Sequence, residues 1–396
     1  MEKKKMLVVQ GALKAGGAEK ATISFLWTLS HDKYEVDLML FSRKGLFYSQ
    51  VPGYVNIIDA PYPFSCLAHK PQDWKFYIKH SPVNWVKKMI RTYKARHQHK
   101  MHLIQTLWKL WRDDIPMLDK DYDVAYGGQE GITNYYIIDK VKARRKILWI
   151  HNDYEKLGYE EEFDRPYFCR ASVVATMSPT ARDILKRHFP ESGDHIWFLE
   201  NITNGEMIRK MATEKINDNE FKLTEGINLI SVGRLSSPKN FERAIHTASI
   251  LKRRGLVFHW TIIGDGPLRN NLETLTKHLG VEDVLSFIGL RPNPYQYMSK
   301  SDMLVVTSDF EGRSIAIDEA QVLGIPVITT NYPTAKDAVV DGQTGLICES
   351  SPEAVADSII RLHTEKKLYV QIRKGLECKK CGNVKEIKKY YLAFGD

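Results

Sequence analysis

The sequence predicts an α/β protein built from two parallel-sheet domains, and three observations predict it. Short runs rich in Val, Ile and Leu alternate with helical stretches from end to end. The alternation breaks once, over a polar stretch at 202–224, and then restarts. The length of 396 residues suits two domains, each with its own core.

In the first half, strands are expected at Met6–Gln10, Glu35–Phe41, Val55–Ile58, Val124–Gly127, Lys146–His151 and Val173–Met177. Ser178-Pro179-Thr180 reads as the entry to a helix running to about His188, because proline suits the first helical position. A strand near His195–Leu199 follows. In the second half, strands are expected at Ile227–Val232, His259–Ile263, Leu285–Ile288, Met303–Thr307, Val327–Thr330 and Gly345–Ile347. Helices are expected near Asn240–Arg253, Pro267–Leu279, Pro294–Ser299, Ser314–Leu323 and Pro352–Thr364. The expected boundaries are a first domain at 1–201, a linker at 202–224 allowing one short helix, and a second domain at 225–380. A last helix at 381–396 is expected to cross back to the first domain.

The composition, 43% hydrophobic and 27% charged, is that of a globular protein. No apolar run reaches 18 residues, so no membrane-spanning helix is expected. The start, MEKKKMLVVQ, reads as a first strand and not as a signal peptide. Five cysteines argue against a disulfide framework and fit a reducing cytoplasm. The lone pair Cys378-Lys-Lys-Cys381 lacks the further ligands a zinc site needs.

The net charge of +9 is concentrated in one segment. Between Phe64 and Arg112, eleven Lys or Arg stand against a single acid, Asp73. Large aromatics, Trp74, Trp85, Trp108 and Trp111 among them, are interleaved with these cations. That combination suits an anionic membrane surface better than RNA, so a membrane partner is expected and nucleic acid is not. The bland alternative is a solvated basic helix pair whose aromatics pack on the domain.

Five segments lie where a strand gives way to a helix, which is where parallel sheets bind ligands. The most informative is Glu311-Gly-Arg-Ser-Ile-Ala-Ile-Asp-Glu319, with two carboxylates eight positions apart. Ser314 and Ile315 fall near the first helical turn, whose free N–H groups can hold a phosphate. In Ser231-Val-Gly233-Arg234-Leu-Ser-Ser-Pro-Lys239, two cations follow the second domain's first strand and can neutralise a diphosphate. Gly16 and Gly17 allow a ligand close to the backbone at another helix start. Gly264 and Gly266, in Ile263-Gly-Asp-Gly-Pro267, leave room for a base or ribose, or make a tight turn. His151 ends a first-domain strand, where it can meet a phosphate or sugar hydroxyl or move a proton. Asp265 has no partner acid, and no divalent-metal cluster is apparent; no obligatory metal or cofactor is expected.

These residues carry a resemblance. The GGAE loop, VGRL…KN, IGDGP and above all SDFEGRSIAIDEAQVLGIPVI are similar to the family 4 retaining glycosyltransferases. The likeness spans nearly the whole chain, strongest over 227–348 and weakest over 60–115. It implies the GT-B architecture, two Rossmann-like domains facing across a cleft. It implies that Glu319 binds the donor ribose and that Glu311 contacts the donor sugar. Arg234 and Lys239 would hold the diphosphate, with backbone N–H groups near Ser314 and Ile315. Gly16 and Gly17 would lie by the phosphates and the acceptor path, and His151 beside the transferred sugar. Gly233, Gly264, Gly266 and Gly312 would complete the donor site. Arg313 departs from the aromatic or small residue usual after Glu-Gly and can itself meet an anionic group.

The implied reaction is glycosyl transfer from a UDP- or GDP-sugar to a hydroxyl of a saccharide or lipid-linked saccharide, with retained anomeric configuration. Cell-surface polysaccharide synthesis (capsule or lipopolysaccharide) is the implied setting, at the inner face of the plasma membrane. No nucleophilic carboxylate is identified, so a same-face displacement is the working mechanism. The alternatives are a nucleotide-sugar epimerase on the same plan, and a non-catalytic scaffold of a polysaccharide assembly complex.

Overall fold

The computed structural model describes the chain apart from residues 1, 15, 62–85, 88–89, 91–92, 94–100, 217–218, 220, 312–313 and 381. It divides into two compact units, one of Met1–Ile202 with Lys385–Asp396 and one of Thr203–Val384.

The first unit holds a seven-stranded parallel sheet. Its strands are β1 Lys4–Gln10, β2 Tyr34–Leu40, β3 Asn56–Asp59, β4 Tyr122–Gly127, β5 Ala143–Ile150, β6 Val173–Thr176 and β7 Ile196–Phe198, in the order β3-β2-β1-β4-β5-β6-β7. The central strands are buried on both faces, which is why they read as nearly unbroken apolar runs. Helix Pro179–His188 starts as expected, with the Ser178 hydroxyl accepting from Ala181 N at 3.0 Å. The helix Ile387–Phe394 belongs to this unit, with Tyr390 stacked on Phe25 at 5.5 Å. Arg145 donates to the Ala393 carbonyl at 3.0 Å, holding the end of that helix.

Part of the basic aromatic segment is also core. Helix Leu103–Trp111 buries Trp108 and Trp111 completely, and the Trp108 indole donates to the Tyr167 hydroxyl at 2.9 Å. These two rings therefore cannot meet a lipid surface, which corrects the expectation for the end of the segment. The tetrad's other aromatics, Trp74 and Trp85, lie outside the described residues.

The second unit holds a six-stranded parallel sheet. Its strands are β8 Ile227–Val232, β9 Phe258–Ile263, β10 Leu285–Gly289, β11 Met303–Val306, β12 Val327–Thr330 and β13 Gly345–Cys348, in the order β10-β9-β8-β11-β12-β13. Helix Gly205–Ala212 falls in the stretch expected as a linker, but it is part of this unit. The reason is burial: Met207 and Ile208 turn inward, and the helix packs on Tyr295–Met298 and Ile315–Val322. Helix Lys366–Gly375, which was not anticipated, buries Ile372 and extends the same core.

Both sheets reverse their winding once, between β1 and β4 in the first and between β8 and β11 in the second. Such a switch point opens a crevice at the carboxyl ends of its two strands.

Candidate functional site

The second unit's switch point gathers most of the predicted residues. The loop after β8 carries Gly233, Arg234 and Lys239, and the loop after β11 carries Ser308 and Glu311. A narrow hollow between them is lined by Ser231, Lys239, Thr307, Ser308, Glu311 and Ser314. Lys239 Nζ lies 2.5 Å from Glu311 Oε1, and the Ser308 hydroxyl donates to that same oxygen at 2.7 Å. Glu311 is 7% exposed, so its charge depends on these two partners. Its carbonyl accepts from the Thr334 hydroxyl at 2.7 Å, which holds the loop from the β12 side.

Ser314 is the N-cap of helix Ile315–Val322 and Ile315 its first residue. The free N–H groups of this turn therefore start at the hollow. Glu319 lies one turn further in and is 2% exposed. The Tyr295 hydroxyl donates to its Oε1 at 2.8 Å. Burial, together with the Glu319 carboxylate, holds the Tyr295 hydroxyl well above its ordinary range, so it stays a donor.

Arg234 is exposed on the same loop as Lys239 and does not line the hollow. It makes no ion pair among the described residues. Gly264 and Gly266 have a structural duty first. Gly264 has φ +154, and a Cβ there would lie 1.8 Å from the Gly233 carbonyl oxygen. A Cβ on Gly266 would lie 2.3 Å from the Leu235 carbonyl oxygen. These two glycines thus let the turn after β9 pass against the cationic loop. Gly233 itself has ordinary room, with 3.6 Å from a Cβ to Lys239 Cε. Gly312 and Arg313 lie outside the described residues.

Gly16, Gly17 and His151 belong to the first unit, at the carboxyl ends of β1 and β5. Gly17 begins helix Gly17–Thr28 and Gly16 caps it. The Glu19 carboxyl folds back over Gly16, so close that a Cβ there would meet it. Burial raises the Glu19 pKa, against a hydrogen bond from its own backbone. His151 is 9% exposed and stacks on Trp149 at 4.8 Å. Its Nε2 lies 3.1 Å from the Gly128 carbonyl oxygen, which can only accept, so Nε2 carries the proton. Burial lowers the His151 pKa, and the ring is neutral, with its Nδ1 an acceptor. Proton donation through Nε2 is thereby committed to the protein itself.

Several residues escaped the sequence reading. Glu130, after β4, accepts from the His151 backbone N–H at 3.0 Å and from the Asn152 amide. Its signal was available: Gly127-Gly-Gln-Glu130 follows a recognised strand. Ser308 and Asp309 stand inside the motif that carries the resemblance but were given no role of their own, and Tyr295, Thr334 and Arg243 carried no comparable signal, because each reaches its partner through the fold. A larger surface hollow, lined by Lys3–Lys5, Tyr122 and Ala143, opens at the amino ends of β1, β4 and β5, away from the binding loops.

Residues 212–376 match the family model described as "Glycosyl transferases group 1". Over that stretch, somewhat under half of its length, the chain is similar to the group 1 glycosyltransferases. The domain contains the whole Lys239–Glu311–Glu319 constellation. A putative-by-name colanic acid biosynthesis glycosyltransferase of Salmonella typhimurium is 32% identical over 139 residues, 33% of this chain and 34% of that protein. The amylovoran biosynthesis glycosyltransferase of Erwinia amylovora is 29% identical over 149 residues, 35% of this chain and 37% of that protein. A Campylobacter jejuni N-acetylgalactosaminyltransferase named for a diphospho-undecaprenol substrate is 32% identical over 185 residues, 46% of this chain and 48% of that protein. The chain thus spans about a third to a half of the length of these curated relatives. Among solved structures, Anabaena HepE in complex with UDP and glucose superposes with TM-score 0.65 at 16% identity, over 98% of each chain. S. aureus TarM does so with TM-score 0.68 at 13% identity, over 99% of this chain and 100% of the other. At these identities the likeness concerns the fold, and the fold class is the two-sheet GT-B type.

Proposed function

We propose that the protein transfers a glycosyl unit from a UDP- or GDP-sugar to a hydroxyl of a saccharide or lipid-linked saccharide, with retention and without an obligatory metal, in cell-surface polysaccharide synthesis. The observation that carries this reading is Lys239 against Glu311 beside the start of helix Ile315–Val322, at a sheet switch point inside the matched domain. In it, Lys239, Arg234 and the helix N–H groups near Ser314 and Ile315 stabilise the departing nucleotide diphosphate. Glu311 meets the sugar hydroxyls and Glu319 the ribose. Gly16 and Gly17 serve the phosphates and the acceptor path, and His151 serves the transferred sugar as a neutral hydrogen-bond acceptor. The polysaccharide setting takes support from the names of the relatives. The test is a nucleotide-sugar panel with purified protein, read by calorimetry with EDTA present. Binding of one UDP- or GDP-sugar, lost in Lys239→Ala, supports the proposal; no binding by any member of the panel sinks it. Donor incubated alone separates a transferase, which at most slowly hydrolyses it, from an epimerase, which makes a new sugar nucleotide.

The same reading places the protein in the cytoplasm, peripheral on the inner face of the plasma membrane through the part of residues 64–112 that precedes helix Leu103–Trp111. Its support is the helical set Val86, Ile90 and Tyr93, exposed at positions i, i+4 and i+7, with Lys87 beside them. No described helix is long and apolar enough to cross a membrane. Co-sedimentation with vesicles of anionic lipid at low salt is expected, and equal binding to neutral vesicles counts against it.

A further inference from the structure

We infer that Arg243 is a positioning residue of the donor site, acting through Asp309 and Thr307 to set Lys239 against Glu311. The inference rests on the proposed donor site and deepens it. Arg243 lies in the first turn of helix Phe241–Arg253 and is 9% exposed. Its guanidinium donates to the Thr307 carbonyl at 2.5 Å and to Asp309 Oδ1 at 2.7 Å, so one side chain grips the acidic loop at two points. That loop is in turn fastened to the cationic loop. Asp309 N donates to the Pro238 carbonyl at 2.9 Å, and the Thr307 hydroxyl to the Lys239 carbonyl at 3.1 Å. Asn240, at φ 44, donates from its amide to Asp309 Oδ2 at 2.9 Å and caps the helix by accepting from Arg243 N.

The consequence is geometric. Lys239 and Glu311 stand on separate loops, and their side chains meet only if the two backbones are held in register. The planar, forked guanidinium is suited to hold a carbonyl and a carboxylate of one loop together. A core arginine needs some partner to be buried at all. Here both partners belong to the loop carrying Glu311, while Asp309 also makes two bonds with the loop carrying Lys239, accepting from Asn240 and donating to Pro238. The positioning of functional groups by such supporting contacts governs activity to fractions of an ångström.

The test uses the full-length protein, Arg243→Lys, Arg243→Met and Asp309→Asn. Two readouts are taken: the acetylation rate of Lys239 by acetic anhydride, followed by mass spectrometry, and the affinity for UDP and GDP by calorimetry. In Arg243→Met and Asp309→Asn, Lys239 is expected to label several times faster, and affinity to fall about tenfold, the scale of one charge-assisted hydrogen bond. Arg243→Lys, which keeps the charge but loses the fork, is expected to recover part of each effect. Wild-type labelling in both disrupting variants overturns the inference. Asp309 is half exposed, so Asp309→Asn reads the result even if Arg243→Met fails to fold. If the wild-type protein binds neither nucleotide, the donor-site reading falls, while the labelling still decides whether Arg243 sets Lys239.

Discussion

Lys239 and Glu311 stand 72 positions apart in the chain and 2.5 Å apart in the fold. Each therefore answers for the other's charge. Glu311 is nearly buried, and Lys239 keeps only a quarter of its side chain exposed. Lys239→Ala is expected to cost turnover by the loss of one preorganised contact to the leaving group, about 2.7–4 kcal/mol of barrier. It should also cost stability by stranding Glu311, an effect that Lys239→Met with Glu311→Gln relieves. Urea denaturation of Lys239→Met, Glu311→Gln and their double variant checks this; stability that simply adds across the pair would show that the two groups are uncoupled.

Arg234 offers the contrast. It is exposed and has no ion-pair partner among the described residues, so the fold does not lean on it. Arg234→Ala is expected to leave the unfolding free energy within about 0.5 kcal/mol while lowering turnover at least tenfold. A variant with normal turnover would remove Arg234 from the donor site.

The glycines separate in the same way. Gly264→Ala must place a Cβ against the Gly233 carbonyl at a backbone angle that favours glycine, and Gly266→Ala must displace the Leu235 carbonyl. Each is expected to cost at least about 2 kcal/mol. Gly233→Ala, with ordinary contact distances, should fold normally. Melting temperatures of the three variants give the comparison, and equal losses in all three would contradict it.

Tyr295→Phe removes the hydroxyl that donates to buried Glu319. A loss of about 1–3 kcal/mol in stability is expected, as for a hydrogen bond to a buried charged group. If Glu319 grips ribose, nucleoside diphosphate affinity falls as well, while affinity for inorganic pyrophosphate does not. Calorimetry with UDP and with pyrophosphate separates the two.

Two histidines give stability opposite dependences on pH. His151 has its pKa lowered by burial from an ordinary 6.5. As pH falls through that value the unfolded chain takes a proton that the folded chain refuses, so stability is lost on acidification. His188 is raised, chiefly by its hydrogen bond to Glu155 and then by Glu161. Its contribution is present at low pH and is lost as pH rises through the folded value. Melting temperature between about pH 5 and 8 should therefore fall less on acidification in His151→Asn and more in His188→Gln. The reverse ordering would show that His151 is charged in the folded state.

Much of the fold was legible. Strands Ile227–Val232 and Val327–Thr330 and helix Pro352–Thr364 occupy the expected residues, and the other elements expected in the second domain differ by one or two positions at the ends, while helices Ala335–Ala338 and Lys366–Gly375 were not expected. Local signals suffice there, since strands covered on both faces read as continuous apolar runs and a Ser-Pro pair marks a helix start. The aromatic segment was less legible, because a tryptophan that packs inward and one that faces lipid have the same neighbours in sequence. Trp108 and Trp111 proved to be core.

The chain alone determined the succession of strands and helices and the chemistry of its loops: cations after β8, and acids after β11 with a helix start between them. Only the tertiary structure decided which groups touch. The order β10-β9-β8-β11-β12-β13 sets the ends of β8 and β11 side by side, and from that adjacency come Lys239 on Glu311 and Arg243 on Asp309. Sequence periodicity reports what a segment buries, a property set within a few residues. A pairing across some seventy residues is set by how the crossovers wind the sheet, and no local pattern records it.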